Sequence, residues 1–204
     1  MADKNLFPAA RLNRRVVVRA LLAQRSGLLV VAGLGAPAWD ATEAGDDALN
    51  FPLWGGMGGA AAIGLGLAIA QPKRNVLVLT GDGEMLMGFG SLATVAVQRP
   101  RNLSIVVLDN EHYGETGMQE SHTARGVDLA AAAKACGFAS TMLLTAIDEV
   151  AKLRTAIHAG EGPVFAQIKV AADKLPLVLP PRDGAQLKNR FREALLGVDA
   201  HFQR

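Results

Sequence analysis

The residues best placed to do chemistry are Gly81, Asp82, Gly83 and Asn110. The Gly-Asp-Gly triplet closes the aliphatic run "NVLVLT" (75–80), and a helical apolar pattern starts directly behind it. Flanking glycines let a backbone approach a ligand closely, and a helix start offers unpaired N–H groups and a positive dipole end to an anion such as phosphate. Asp82 would repel a bare phosphate, and a divalent cation between the two resolves that conflict. A second donor comes from the next strand, because "LSIVVLD" (103–109) ends at Asn110, 28 positions after Asp82. Two strand ends then present hard oxygens to one spot. This suits Mg2+, which takes one or two protein carboxylates and fills its remaining positions with phosphate and water.

The stretch that follows, "NEHYGETGMQESHTARG" (110–126), is seventeen residues long, more than a strand-to-helix connection needs. His112, Tyr113, Glu115, Thr116 and His122 have an ordinary reading as polar loop residues. Their place behind a metal ligand also makes Thr116 and His122 candidates for touching a substrate, with Arg125 a further one. An anionic substrate with a second acidic group would suit His122 and Arg125. Cys136, on an Ala-rich helix, reads as a buried structural cysteine. Trp54 is either part of a pocket wall or part of the core.

Alternating helices and strands must position these groups. Leu12, Val16, Val17, Ala20 and Leu21 recur at helical spacing, with Gly27 as the stop. "LLVVAG" (28–33) is a buried strand, and 35–50 reads as turn and loop. A Gly/Ala helix from Met57 to Ala70 precedes the strand that ends at Asp82. A single helix then carries Met85, Phe89, Leu92 and Ala96 on one face and closes near Pro100. After Asn110 come a helix "VDLAAAAKACG" capped by Gly137, a strand near 138–143, a helix from Ile147 to Ala159 and the strand "PVFAQIKV". Continuous aliphatic strands separated by helices define an α/β class, a doubly wound parallel sheet with helices on both faces. Ligands in such sheets lie beyond the carboxyl ends of the strands, where Asp82 and Asn110 stand.

Composition limits the partners. Half of the 204 residues are hydrophobic and a fifth are charged, enough for one domain (1–170) and a C-terminal extension (171–204). The extension begins proline-rich and ends with Leu187, Phe191, Leu195 and Leu196 near one helical face. It suits either a local brace or, by preference, a clasp on a neighbouring subunit. A net charge of +2 with scattered basic residues gives no nucleic-acid surface and no attraction to an anionic membrane. The uncharged stretch 50–71 is as long as a membrane span, but its glycines favour close packing on a sheet or ligand. One cysteine excludes an internal disulfide and fits a reducing cytoplasm. Met1 to Arg15 contain no apolar core of a secretion signal.

The blocks "GGMGGAAAIGLGLA", "GDGEMLMGFGSLAT" and "DNEHYGETGMQESHT", in this order and on these elements, resemble thiamin-diphosphate-dependent enzymes. They are most similar to the diphosphate-binding subunit of the sulfopyruvate and phosphonopyruvate decarboxylases. The resemblance implies the thiamin-diphosphate-binding fold and Mg2+ held by the side chains of Asp82 and Asn110 and the backbone carbonyl of His112. Gly81 belongs to the cofactor turn, and Gly83, Glu84 and Met85 would offer backbone N–H groups to the diphosphate. Met57 would be the apolar wedge that holds the cofactor bent, and the carbonyl of Gly55 would accept from its amino group. The chain departs at Glu84 from many decarboxylases of this superfamily, which have Ser or Ala after the Gly-Asp-Gly. That side chain must turn away, leaving only its backbone in use, or take another role.

The family's chemistry also needs a glutamate beside the aminopyrimidine ring, carried on a separate pyrimidine-binding domain. One sheet domain uses most of this chain, so the resemblance implies an alpha subunit that supplies the glutamate, in a hetero-oligomer or dimer. The activity implied is decarboxylation of a small anionic 2-oxoacid to an aldehyde and CO2. A carboligase of the acetolactate synthase type and a non-catalytic cofactor-binding regulatory subunit are the alternatives.

Overall fold

In the computed structural model, which describes residues 11–202, the sequence folds around one parallel sheet of six strands. In chain order the elements are α1 (Arg14–Leu22), β1 (Leu29–Ala32), α2 (Ala36–Glu43), β2 (Asn50–Pro52), α3 (Ala60–Ala70), β3 (Val76–Gly81), α4 (Asp82–Met87), α5 (Ser91–Gln98) and β4 (Leu103–Asp109). A hairpin of β5 (His112–Tyr113) and β6 (Gln119–Glu120), a 3-10 turn His122–Arg125, α6 (Leu129–Cys136), β7 (Ser140–Leu144), α7 (Glu149–Ala159), β8 (Val164–Lys169) and α8 (Gly184–Leu196) follow. The sheet order is β2-β1-β3-β4-β8-β7. No helix among the described residues is long and apolar enough to cross a membrane.

The central strands β1, β3 and β4 are mostly apolar because each faces two cores. Leu77 and Leu79 of β3 point to one side, with Val17 and Leu21 of α1, Ala38 and Ala41 of α2, and Leu153 of α7. Val76 and Val78 point to the other, with Ala61 and Leu65 of α3, Leu92 and Val95 of α5, and Ala133 of α6. Each such aliphatic side chain contributes on the order of 1.5–3 kcal/mol on full burial. The Gly/Ala helix uses its missing side chains for contact: a Cβ at Gly64 would lie 2.1 Å from a methyl of Val78. Here α3 sits directly on the sheet, as expected of that composition.

The single helix expected after Asp82 is two helices. A Cβ at Gly88 would meet the carbonyl oxygen of Gly58 at 2.2 Å, so the chain breaks at Gly88-Phe89-Gly90 to admit that loop, and Phe89 is left exposed. The stretch 35–50 holds α2 and the edge strand β2 in place of a loop. Three residues that include a proline carry no readable alternation, while Val30 and Val31 of β1 pair with Asn50 and Phe51. The first helix ends at Leu22, ahead of Gly27, and the Gly/Ala helix begins at Ala60. Cys136 is exposed, which corrects its reading as buried. Helix α8 packs on this chain's own core, with the Phe191 ring 5.4 Å from Phe51, while Leu196 of the same stripe stays exposed. Residues 1–10, most of the segment searched for a secretion signal, lie outside the described residues.

Candidate cofactor and metal site

The sheet reverses its build direction at β1. The chain leaves β1 into α2 on one face and leaves β3 into α4 on the other, so a crevice opens between their carboxyl ends. Strands β3 and β4 run in register, with Gly81 opposite Leu108, so they end side by side and bring Asp82 and Asn110 to the same edge. A cavity of about 170 Å³ lies there. Of the residues singled out from sequence, Met57, Gly81, Asp82, Gly83, Glu84, Asn110, His112 and Thr116 line it. Gly55, Met85 and His122 do not.

Asp82 is nearly inaccessible, at 2 % exposure, yet no cation among the described residues pairs with it. Its Oδ2 accepts from the Ser121 hydroxyl at 2.5 Å and faces the Thr123 hydroxyl at 3.3 Å. No other described residue donates to Oδ1, and Asp82 lines the cavity. Burial pushes the Asp82 carboxyl above its ordinary range, the Ser121 hydrogen bond opposes this, and the nearby Asp109 charge adds to the rise. A buried carboxylate with only neutral donors, here two hydroxyls and its own backbone N–H, is costly unless a cation completes it.

Asn110 stands next to it with an Asx-type turn, its Oδ1 accepting from the His112 N–H at 3.0 Å and its carbonyl 2.8 Å from His112 Nδ1. A carboxylate oxygen, an amide oxygen and a backbone carbonyl form a hard donor set. No trio of His, Cys, Asp or Glu among the described residues forms a transition-metal cluster. The donor set therefore fits Mg2+. Gly83 and Glu84 precede the first hydrogen bond of α4, so their N–H groups have no helical partner and can receive phosphate oxygens, whereas Met85 is the fourth helical residue.

Glu84 turns away, as one of its two readings required. Its Oε2 accepts from the Thr80 hydroxyl at 2.8 Å inside the protein, and a Cβ at Gly33 would lie 1.8 Å from that oxygen. A side chain at position 33 would displace the Glu84 carboxylate from this place. Burial raises the Glu84 carboxyl, the Thr80 hydroxyl opposes this, and the amides of Gly58, Ala60 and Leu34 face the group without giving Oε1 a hydrogen-bond partner. The side chain thus joins the turn after β1, the start of α3 and the Gly-Asp-Gly turn.

Sequence reading named Tyr113 only as a loop residue and passed over Ser121, Thr123 and Arg14. Tyr113 lies on the turn itself, its ring where a side chain at Gly83 would be, 2.4 Å from an added Cβ. Ser121 and Thr123 are buried while His122 between them is exposed, because the 3-10 turn sends its neighbours inward. Thr116 sits on the exposed rim and donates to Gln119 Oε1 at 2.9 Å. Arg125 pairs with Glu120 on the surface. Arg14 lines the cavity, its Nε on Asp40 Oδ2 at 2.6 Å and its Nη1 on the Asp173 carbonyl at 2.7 Å. A Ser-x-Thr next to the candidate His122 was the one readable sign of the buried hydroxyls. Trp54 is neither pocket wall nor core: it is partly exposed, donates to the Pro181 carbonyl at 2.7 Å and has the Arg182 guanidinium 5.7 Å over its ring.

Residues 34–168 match the thiamine pyrophosphate enzyme, C-terminal TPP binding domain, and the chain belongs to this family. Within it, the chain is 38% identical over 170 residues to the sulfopyruvate decarboxylase subunit beta of Methanothermobacter thermautotrophicus, covering 83% of this chain and 88% of that one. It is 36% identical over 186 residues to the phosphonopyruvate decarboxylase of Streptomyces viridochromogenes, where 90% of this chain spans 46% of the relative. The fold is that of a benzoylformate decarboxylase from Polynucleobacter necessarius, with a TM-score of 0.68 at 20% identity over 87% of this chain and 36% of that one.

Proposed function

We propose that this chain is the diphosphate-binding half of a split thiamin-diphosphate-dependent decarboxylase acting on a small anionic 2-oxoacid of the sulfopyruvate or phosphonopyruvate kind. The observation that carries the reading is the buried, cation-less Asp82 carboxylate, with no donor from another described residue on Oδ1, in a crevice that Asn110 and His112 also line. Asp82 Oδ1, the Asn110 side chain and the His112 carbonyl hold Mg2+. The N–H groups of Gly83 and Glu84 receive the diphosphate. Met57 supports the bent cofactor, and the Gly55 carbonyl orients its amino group. Thiamin diphosphate, when bound, supplies the electron sink that lets a 2-oxoacid lose CO2 and leave as an aldehyde.

A partner chain completes the site. The cavity, at about 170 Å³, is smaller than small-molecule sites of roughly 300–1,000 Å³, as half a site would be. Besides Met57 at the cavity mouth, the apolar side chains of Met87, Phe89, Ile63, Ile69 and Val97, on or beside α3, α4 and α5, are exposed. Apolar surface left exposed on this side supports a protein contact. A chain matching most of a beta subunit but under half of a single-chain relative supports the same split. The partner supplies the glutamate for the aminopyrimidine. Thr116 on the rim, with the outward-facing His122 and Arg125, contacts the substrate where the halves meet.

The test is affinity purification of the tagged chain from its own cells, with mass spectrometry of co-eluting proteins, an assay for bound thiamin diphosphate and CO2 release from sulfonated and phosphonated 2-oxoacids. A stoichiometric second chain, cofactor and CO2 release are expected. Absence of cofactor from the assembled complex, even with Mg2+ and thiamin diphosphate added, refutes the reading.

A further inference from the structure

Behind Asp82 lies a buried chain of polar groups that cofactor binding alone does not require. The Thr123 hydroxyl is 2.7 Å from Asp109 Oδ1 and 3.3 Å from Asp82 Oδ2, and the Ser121 hydroxyl is 2.5 Å from Asp82 Oδ2 and 2.9 Å from Thr123 Oγ1. Asp109 is wholly buried, and its Oδ2 accepts from Gln167 Nε2 and Lys169 Nζ, both at 2.6 Å. Lys169 also donates to Glu111 Oε1 at 2.9 Å, and Arg11 donates to Glu111 Oε2 at 2.6 Å.

Counting protons assigns the bonds. Each hydroxyl has one hydrogen to donate. The shorter contact takes it, so Thr123 donates to Asp109 and Ser121 donates to Asp82. The 3.3 Å approach of Thr123 to Asp82 then has no proton in it. Counting charges gives a matching result: Asp82, Asp109 and Glu111 bring three negative charges, and Lys169 and Arg11 bring two positive ones. The missing positive charge falls on Asp82, the one carboxylate of the three that opens onto the cavity.

The hydroxyls come from the turn that follows the 110–120 loop. That turn is fixed by Ser121 N–H to Glu111 O at 2.8 Å, Ala124 N–H to Ser121 O at 3.1 Å and Val127 N–H to His122 O at 3.2 Å. Its two inward side chains end on Asp82 and Asp109, and its outward one is His122. A cation on Oδ1 therefore fixes the carboxylate that holds this turn, and the turn fixes the carboxylate that receives the cation.

We propose that Ser121, which donates to Asp82 Oδ2, and Thr123, which anchors the same turn on Asp109, are positioning residues of the cation site, leaving Asp82 Oδ1 to the cation and making cation binding and closure of the 119–127 turn one cooperative event. The proposal rests on Asp82 being the cation ligand. Its effect is on Mg2+ and cofactor affinity and on the turn that carries His122, by way of carboxylate geometry. Removing a hydrogen-bonded group behind a metal ligand typically costs about 10–100-fold in affinity.

The experiment uses the assembled protein, the chain with its co-purifying partner, as wild type, Thr123→Val, Thr123→Ser, Ser121→Ala and Asp82→Asn. Affinity for Mg2+ with thiamin diphosphate is measured by calorimetry, and hydrogen exchange of peptides spanning 119–127 is followed with and without both ligands. In the wild type, Mg2+ and cofactor slow exchange in 119–127. Thr123→Val, which keeps the shape and loses the hydroxyl, weakens binding about tenfold and loses that slowing, Ser121→Ala does so in the same direction, and Thr123→Ser restores both. Should Thr123→Val not fold, Ser121→Ala against Thr123→Ser decides. Wild-type affinity and slowing in Thr123→Val or Ser121→Ala, with binding abolished in Asp82→Asn, overturn the positioning role alone. Unchanged binding in Asp82→Asn overturns the reading of the site itself.

Discussion

Two buried carboxylates near the carboxyl end of the sheet are solved in opposite ways. Asp40, on α2, is wholly buried between two guanidinium groups, with Arg14 Nε 2.6 Å from one oxygen and Arg15 Nε 3.1 Å from the other. Burial still raises its carboxyl, and the two arginines offset the rise. The pair also ties down the extension, since Arg14 reaches the Asp173 carbonyl and Arg15 the Pro176 carbonyl. Asp82, almost as deeply buried, has hydroxyls where Asp40 has cations. A carboxylate that brings its own counter-charge braces the fold. One that lacks it keeps a place for a ligand.

The comparison is sharpened by substituting both. Asp82→Asn should reduce turnover of the assembled enzyme by ~100-fold or more and abolish Mg2+-dependent cofactor binding, with no loss of stability in the cofactor-free protein, since the substitution removes an uncompensated buried charge. Asp40→Asn should behave inversely. Leaving Arg14 buried without its partner costs about 3–5 kcal/mol in urea unfolding, while the enzyme that remains folded binds cofactor normally. Equal stability losses at both positions would break the distinction.

Met57, half exposed at the cavity mouth, tests the same line from the apolar side. Met57→Ala should lower kcat about 10–100-fold through a misplaced cofactor and change stability by under ~0.5 kcal/mol. Glu84 is intermediate, buried and orphaned at Oε1 but closed off from the phosphate side. Glu84→Gln should raise the thermal stability of the cofactor-free protein by about 1–2 kcal/mol, because a neutral amide replaces a carboxylate without a counter-charge.

Glu149 supplies the smallest effect and the opposite sign. It is partly exposed and accepts from the N–H groups of Thr145 and Ala146, which hold its carboxyl below the ordinary 4.5. A depressed carboxylate contributes stability above its unfolded pKa and loses it as pH falls through the folded one. Glu149→Gln should therefore lower Tm slightly at neutral pH, with the difference vanishing as the pH drops well below 4.5.

Much of this was legible in the residues. Aliphatic runs such as "LSIVVLD" gave β4 at its observed bounds, and Asp82 and Asn110 at strand ends fell at the carboxyl edge of the sheet where the cavity lies. Hydrophobic period and turn chemistry are local, and these elements depend on little else. Edge strand β2 and the break between α4 and α5 were not readable, because one rests on pairing with β1 and the other on the approach of Gly58 to Gly88. The hydroxyl network failed for the same reason. Thr123 lies 41 positions from Asp82, and nothing in a Ser-His-Thr triplet says which of its three side chains turns inward. Cys136 was misplaced because its short helix exposes the end that carries it.

On the proposed reading, Asp82 is a buried carboxylate with no cationic partner among the described residues, reserved for a bound cation. The most direct test of that reading is thermal unfolding of the wild type and Asp82→Asn, each with and without Mg2+ and saturating thiamin diphosphate, on the chain assembled with its partner. The account predicts a wild-type Tm that rises only when both ligands are present, and an Asp82→Asn protein that is at least as stable without ligands and unmoved by them. An Asp82→Asn protein that is stabilised as strongly as the wild type would contradict it.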